Sequence, residues 1–143
     1  MPERKVFLDT GFAIALVSPR DAYHGRAIQL ADELNAAGAA IITTRAVLLE
    51  IGAALAKAAY REAAISLIDL LENDPQVEIF PLSEDLFAQA FELFRARADK
   101  EWSLTDCLSF VVMRQCGVQA ALAADIHFQQ AGFTSLLLQN TGK

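Results

Sequence analysis

The sequence has only two cysteines, two histidines, four prolines and one tryptophan. Its longest apolar runs, Phe12 to Val17 and Leu108 to Met113, fall far short of the ~18 residues that a transmembrane helix needs, so no membrane segment is expected. Asp9 interrupts the first apolar segment, which is wrong for a secretory signal, and a cytoplasmic protein is expected. Cys107 and Cys116 stand nine residues apart on one expected helix; that spacing puts them on opposite faces and prevents pairing. Free thiols are in keeping with a reducing compartment. No Cys or His group has zinc spacing, and the isolated His24 and His127 are expected to be surface or packing residues rather than ligands. Positive charge is also scarce: 12 Lys and Arg face 18 Asp and Glu, a net charge of −6. That excludes coating of nucleic acid by bulk attraction. It leaves room for a local basic patch working with a metal.

What the chain does have is apolar residues, 54% of the total, enough for a sizeable core in one domain spanning 1–143. The pattern alternates strand and helix. Strands are expected at Lys5 to Leu8, Ala40 to Thr43, Val77 to Phe80, Val118 to Ala123 and Ser135 to Leu138. Helices are expected from near Phe12, His24 to Ala37, Arg45 to about Ala58 and Arg61 to Glu72. Others should follow Ser83, begin at Ser103 and cover Ile126 to Ala131. On the helix after Ser83, Leu86, Phe87, Ala90, Phe91 and Phe94 are expected to point inward. Strands separated by helices of this length imply right-handed crossovers. The fold class is α/β: a central, mostly parallel sheet of four to five strands with helices on both faces.

Four acids take comparable places in this scheme. Asp9 ends the first strand, Glu50 lies a turn or so into the helix after the second, Asp106 is in the first turn of its helix, and Asp125 follows the fourth strand directly. In open α/β sheets, ligands sit beyond the carboxyl ends of strands. If these strands are neighbours, the four carboxylates converge. Two carboxylates ~4 Å apart repel by about 4 kcal/mol at an effective dielectric of 20, and a divalent cation relieves that cost. Each acid also has a local explanation. Asp9 and Asp125 are placed to cap helices, and Asp106 completes a Ser-x-x-acid capping box with Ser103. Glu50, between Leu49 and Ile51, is the hardest to explain locally. An all-oxygen cluster suits Mg²⁺ or Mn²⁺, which stabilise charge on a phosphoryl group.

These segments resemble a PIN domain, and more narrowly the toxin ribonucleases of VapBC-type toxin–antitoxin pairs. Val6-Phe7-Leu8-Asp9-Thr10 is similar to the family's opening strand and first acid, and Val47-Leu48-Leu49-Glu50-Ile51 to its second-acid helix. Ser103 to Phe110 resembles the third-acid segment, and Ala121 to Phe128 followed by Ala131-Gly132-Phe133 the closing one. The resemblance implies that Asp9, Glu50, Asp106 and Asp125 are the catalytic, metal-binding acids for Mg²⁺ or Mn²⁺. It also implies a metal-dependent endoribonuclease with an RNA substrate and a small cognate antitoxin as partner. The helices at Arg45 to about Ala58 and Arg61 to Glu72 carry more Ala and Leu than one core face needs, and their second face is expected to hold a partner helix or a second copy in a homodimer, unless both faces are buried within the monomer. One departure is that Ala123 and Ala124 stand where the family usually has threonines, so a hydroxyl that would orient Asp125 is missing.

Arg95, Arg97 and Lys100 form the densest basic stretch before the third acid, and Arg45 lies near the second. Trp102 is placed to stack on a base or to cover the edge of the core. An alternative is a catalytically weakened PIN-like protein-binding module, supported by Ala123 and Ala124 alone. A phosphotransfer or receiver domain also places acids at strand ends. However, Gly11 stands where the haloacid-dehalogenase type needs its second acid, and no glycine-rich phosphate loop is present.

Overall fold

The computed structural model describes residues 4–139. Five strands, β1 (Lys5–Leu8), β2 (Ala40–Thr44), β3 (Val77–Phe80), β4 (Ala120–Leu122) and β5 (Thr134–Ser135), form one sheet in the order β3-β2-β1-β4-β5. Every pairing is parallel, so the sheet is wholly rather than mostly parallel. Helices α1 (Thr10–Val17) and α2 (His24–Ala37) join β1 to β2, and α3 (Arg45–Ala54) and α4 (Ala58–Asn73) join β2 to β3. Helices α5 (Glu84–Ala96) and α6 (Leu104–Cys116) join β3 to β4, and α7 (Ile126–Gln130) joins β4 to β5. These helices flank the sheet.

The central strand is β1, whose Val6, Phe7 and Leu8 are all buried, as a short apolar run in a parallel sheet must be. The chain winds outward from β1 to β2 and β3 on one side and returns to β4 and β5 on the other. The direction therefore reverses between β1 and β4, and a crevice opens at the carboxyl ends of these two strands. Leu8 is in register with Leu122, so the residues just past both strands emerge side by side.

Beneath that crevice lies an aromatic cluster. Phe128 of α7 meets Phe110 of α6 edge-on at 5.0 Å and lies 6.3 Å from Phe7 of β1. Trp102 meets Phe110 edge-on at 5.0 Å. Edge-to-face rings at this spacing add directional packing to their area burial. Phe7, Phe110 and Phe128 each lie within four residues of one of the acids Asp9, Asp106 and Asp125, so a single packed cluster fixes three of the segments that carry them.

Strand β4 covers only Ala120–Leu122 of the expected Val118 to Ala123, and the structure departs from the expected elements in four further places. The helix expected to run to Ala58 ends at Ala54 with Leu55 as its buried C-cap; α4 then starts at Ala58 rather than Arg61. Strand β5 is only Thr134–Ser135, and Leu136–Leu138 form a 3₁₀ turn that buries Leu136 and Leu137. Helix α1 begins at Thr10, directly after Asp9. On α5 the buried stripe is Leu86 and Ala90, while Phe87, Phe91 and Phe94, expected inside, are 44%, 40% and 42% exposed. Those three rings follow each other at helical spacing and stack on the outside at 6.1 and 6.4 Å.

Candidate metal centre

Asp9, Glu50, Asp106 and Asp125 line one open cleft of about 680 Å³ at the crevice between β1 and β4, together with Thr10, Gly11, Ser103 and His127. The four acids come from four separate segments, and each is held differently.

Asp9 occupies the N-cap position of α1, yet its side chain makes no capping hydrogen bond. Capping therefore does not account for it. Its backbone is fixed instead: the Asp9 N–H donates to the Leu122 carbonyl at 3.2 Å, and the buried Thr43 hydroxyl donates to the Leu8 carbonyl at 2.8 Å. Burial pushes the Asp9 carboxyl up from 3.8 to about 7, with Asp106, Glu50 and Asp125 adding repulsion and the Thr10 backbone amide acting the other way.

Glu50 projects from the second turn of α3, where its Oε1 accepts a 2.7 Å hydrogen bond from the Thr10 hydroxyl. Thr10 thus links the residue after the first acid to the second acid. Asp106 is the third residue of α6 and closes a complete capping box. The Asp106 N–H donates to Ser103 Oγ at 3.0 Å, and the Ser103 N–H donates to Asp106 Oδ2 at 3.1 Å. Burial also raises the Asp106 carboxyl, opposed by the Ser103 amide and His127 and reinforced by Asp125.

Asp125 caps α7 by accepting from the His127 N–H at 2.8 Å. Its segment is tied down from outside the helix: Ser135 Oγ donates to the Asp125 carbonyl at 2.7 Å, and the Leu137 N–H donates to the Ala123 carbonyl at 3.1 Å. Ala123 is fully buried. The His127 amide orients the Asp125 carboxylate and Ser135 holds its backbone carbonyl.

Asp9, Asp106 and Asp125 all sit at helix N-termini, whose partial positive charge offsets part of their mutual repulsion; Glu50 does not. The donor set is rich in hard, anionic oxygen and so fits a divalent cation of the Mg²⁺ or Mn²⁺ class. Asp106, Asp125 and His127 present ligand atoms within 4.8 Å of one another. His127, taken from the sequence as an isolated packing or surface residue, is the site member that sequence reasoning missed. Its closeness to Asp125 in the chain was the available signal.

The expected nucleic-acid contacts fare differently. Arg95 pairs with Glu92, Arg97 with Asp99, Lys100 with Asp99, and Arg45 with Glu72. These are surface pairs of little net worth. Trp102 is only 4% exposed, donates to Gln130 Oε1 at 3.0 Å and is covered by the Arg97 guanidinium at 5.0 Å. It closes the edge of the core and presents no face to a base.

A switch-point crevice lined by acids on a five-stranded parallel sheet is the arrangement of a PIN domain, and the PIN-domain family model matches residues 6–134. The chain belongs to the PIN-domain family. Within that family it is similar to the 23S rRNA-specific endonuclease VapC20 of Mycobacterium tuberculosis, with 32% identity over 131 residues covering 92% of this chain and 97% of that protein. The crystal structure of M. tuberculosis VapC20, described as a sarcin–ricin loop cleaving toxin, superimposes with a TM-score of 0.78 over 90% of this chain and 96% of that one. VapBC2 from Rickettsia felis, solved with a promoter DNA fragment, shares the fold at a TM-score of 0.62 and 15% identity, covering 92% and 96% of the two chains.

Proposed function

We propose that this chain is a metal-dependent endoribonuclease, the toxin of a VapBC-type pair, that hydrolyses RNA phosphodiester bonds at the acidic cleft. One observation carries the reading: four carboxylates from four segments share a cleft in a chain 32% identical, over nearly its full length, to an rRNA endonuclease. Asp9, Glu50, Asp106 and Asp125 are assigned as the metal-binding acids. A bound Mg²⁺ or Mn²⁺ supplies Lewis-acid charge to the scissile phosphodiester. The chain's own residues prepare the cleft. Thr10 fixes one oxygen of Glu50 and the Ser103 amide fixes one of Asp106. The N-termini of α1 and α6 add positive potential toward a phosphate. The aromatic cluster keeps the acid-bearing segments from relaxing apart.

By analogy with the relative, a ribosomal RNA stem-loop is the substrate to test first. Cleavage should require added Mg²⁺ or Mn²⁺, stop on chelation and return when the metal is restored. Undiminished cleavage in excess chelator would overturn the assignment.

Two apolar surfaces are assigned to partners. A groove of about 270 Å³ between α1, α2 and α4, lined by residues including Phe12, Leu16, Leu34, Leu67 and Leu71, is concave and suits an apolar segment of an antitoxin. Independently of that groove, an antitoxin Arg that reaches the acidic cleft would pair bidentately with its carboxylates and compete with the metal. The exposed row Phe87, Phe91 and Phe94, close to the 65% exposed Leu49 through the groove that Leu49 and Phe87 share, is assigned to a second copy, giving a homodimer. Phe91→Glu should convert a dimer to a monomer in light scattering; an unchanged mass would place the second copy elsewhere.

A further inference from the structure

We propose that His127 Nδ1 is a donor to the metal, beside Asp106 and Asp125, and that this nitrogen shifts the site's preference from Mg²⁺ toward transition metals such as Mn²⁺. The inference rests on the metal-dependent reading above and deepens it.

The geometry is specific. Nδ1 lies 3.1 Å from Asp106 Oδ2 and 3.2 Å from Asp125 Oδ2. These are hydrogen-bond separations, and Nδ1 can ligate only as the tautomer that carries its proton on Nε2; adjacent donors of an octahedron with bonds of about 2.1 Å are separated by about 3.0 Å, so the ring needs little movement to exchange the hydrogen bond for a metal. The ring is held there by its own backbone. The His127 N–H donates to Asp125 Oδ1 at 2.8 Å, which folds the first turn of α7 so that side chain and carboxylate face the same space. Phe128, the next residue, is fully buried against Phe7 and Phe110, which stops the turn from rotating. His127 also lines the cleft with all four acids.

The chemistry favours a change in selectivity. Mg²⁺ takes oxygen donors and retains several waters, whereas imidazole is a good donor to first-row transition metals. A site of carboxylates alone discriminates weakly between Mg²⁺ and Mn²⁺. One imidazole nitrogen in the set strengthens the transition metal selectively.

The test uses Mn²⁺ alone as the probe on the full chain. Electron spin-echo spectroscopy of the Mn²⁺-loaded protein should show a directly coordinated histidine nitrogen. That coupling should change when histidine is supplied as the ¹⁵N form and vanish in His127→Asn. Asn puts an amide group near the position of Nδ1 and leaves the backbone hydrogen bond to Asp125 intact. By calorimetry, His127→Asn should lower the ratio of Mn²⁺ to Mg²⁺ affinity about tenfold while largely sparing Mg²⁺. His127→Ala should lower it similarly, and thermal melts of both variants confirm folding. Mn²⁺ that binds with no histidine coupling, or a selectivity ratio unchanged in both variants, overturns the proposal and leaves the acidic site standing. Failure of the wild-type protein to bind Mn²⁺ at all overturns both.

Discussion

Among single residues, Asp9 carries the largest consequence. Its carboxyl is raised from 3.8 to about 7 by burial and by the neighbouring acids. The folded state therefore binds this proton more tightly than the unfolded state. The resulting stabilisation is complete below pH ~4 and is lost as the pH rises through about 7. In the metal-free protein, Asp9 should cost up to about 4 kcal/mol between those limits, so the melting temperature should fall from pH 5 to pH 8. Asp9→Asn should flatten that dependence, as thermal melts in chelator would read; an unchanged slope would mean that Asp9 is not the group responsible. A divalent cation must displace the same proton, so metal affinity should rise over the same pH range. Glu50 gives a complementary test. Glu50→Gln retains an oxygen to accept from Thr10 but removes a charge that repels Asp9. The metal-free variant should melt about 3 °C higher, corresponding to roughly 1 kcal/mol, and added Mg²⁺ should stabilise it less than wild type. A clear loss of stability would make the Thr10 contact the dominant role of Glu50.

At the scale of the element, the site depends on how helices begin and what lies under them. Helices α6 and α7 start on capped acids and are pinned by Phe110 and Phe128, both fully buried. Phe128→Ala should cost about 3–5 kcal/mol and loosen the segment bearing Asp125, so denaturant unfolding should show a lower midpoint. A midpoint within error of wild type would show that the cluster is not what holds α7. The order of elements, the parallel sheet and the places of the four acids were legible because buried strands end abruptly at acids and because Ser103 announces α6 three residues ahead of Asp106. The break after Ala54 was not legible: Ala53-Ala54-Leu55-Ala56-Lys57-Ala58-Ala59 contains no glycine or proline, and Leu55 continues the buried face of Leu48 and Ile51 at helical spacing as if the helix ran on. Nor was the outward face of α5. Phe87 and Phe91 each lie one residue past a member of the Leu86–Ala90 stripe and Phe94 one turn beyond Ala90, and a pattern of apolar residues says neither how wide nor how long the buried face is. His127 was missed for a similar reason, since its role comes from a folded-back turn and from Asp106, twenty-one residues away in sequence.

Over the whole molecule, topology turns dispersed acids into one site. The strand order reverses at β1 and β4, so Asp9 and Asp125 meet although 116 residues separate them in sequence, and β2 and α6 bring Glu50 and Asp106 alongside. The net charge of −6 and the pairing of Arg45, Arg95, Arg97 and Lys100 with local acids leave little long-range attraction for RNA. Substrate binding should therefore depend on the metal more than on bulk electrostatics. Metal-dependent cleavage at the four acids is read most directly by single-turnover cleavage of a ribosomal RNA stem-loop in Mn²⁺ by wild type and by Asp9→Asn, Glu50→Gln, Asp106→Asn and Asp125→Asn, each checked for folding. Each of the four amide variants should lose at least ~10²-fold in rate. Retention of wild-type rates by correctly folded Asp9→Asn and Asp106→Asn variants would contradict the account.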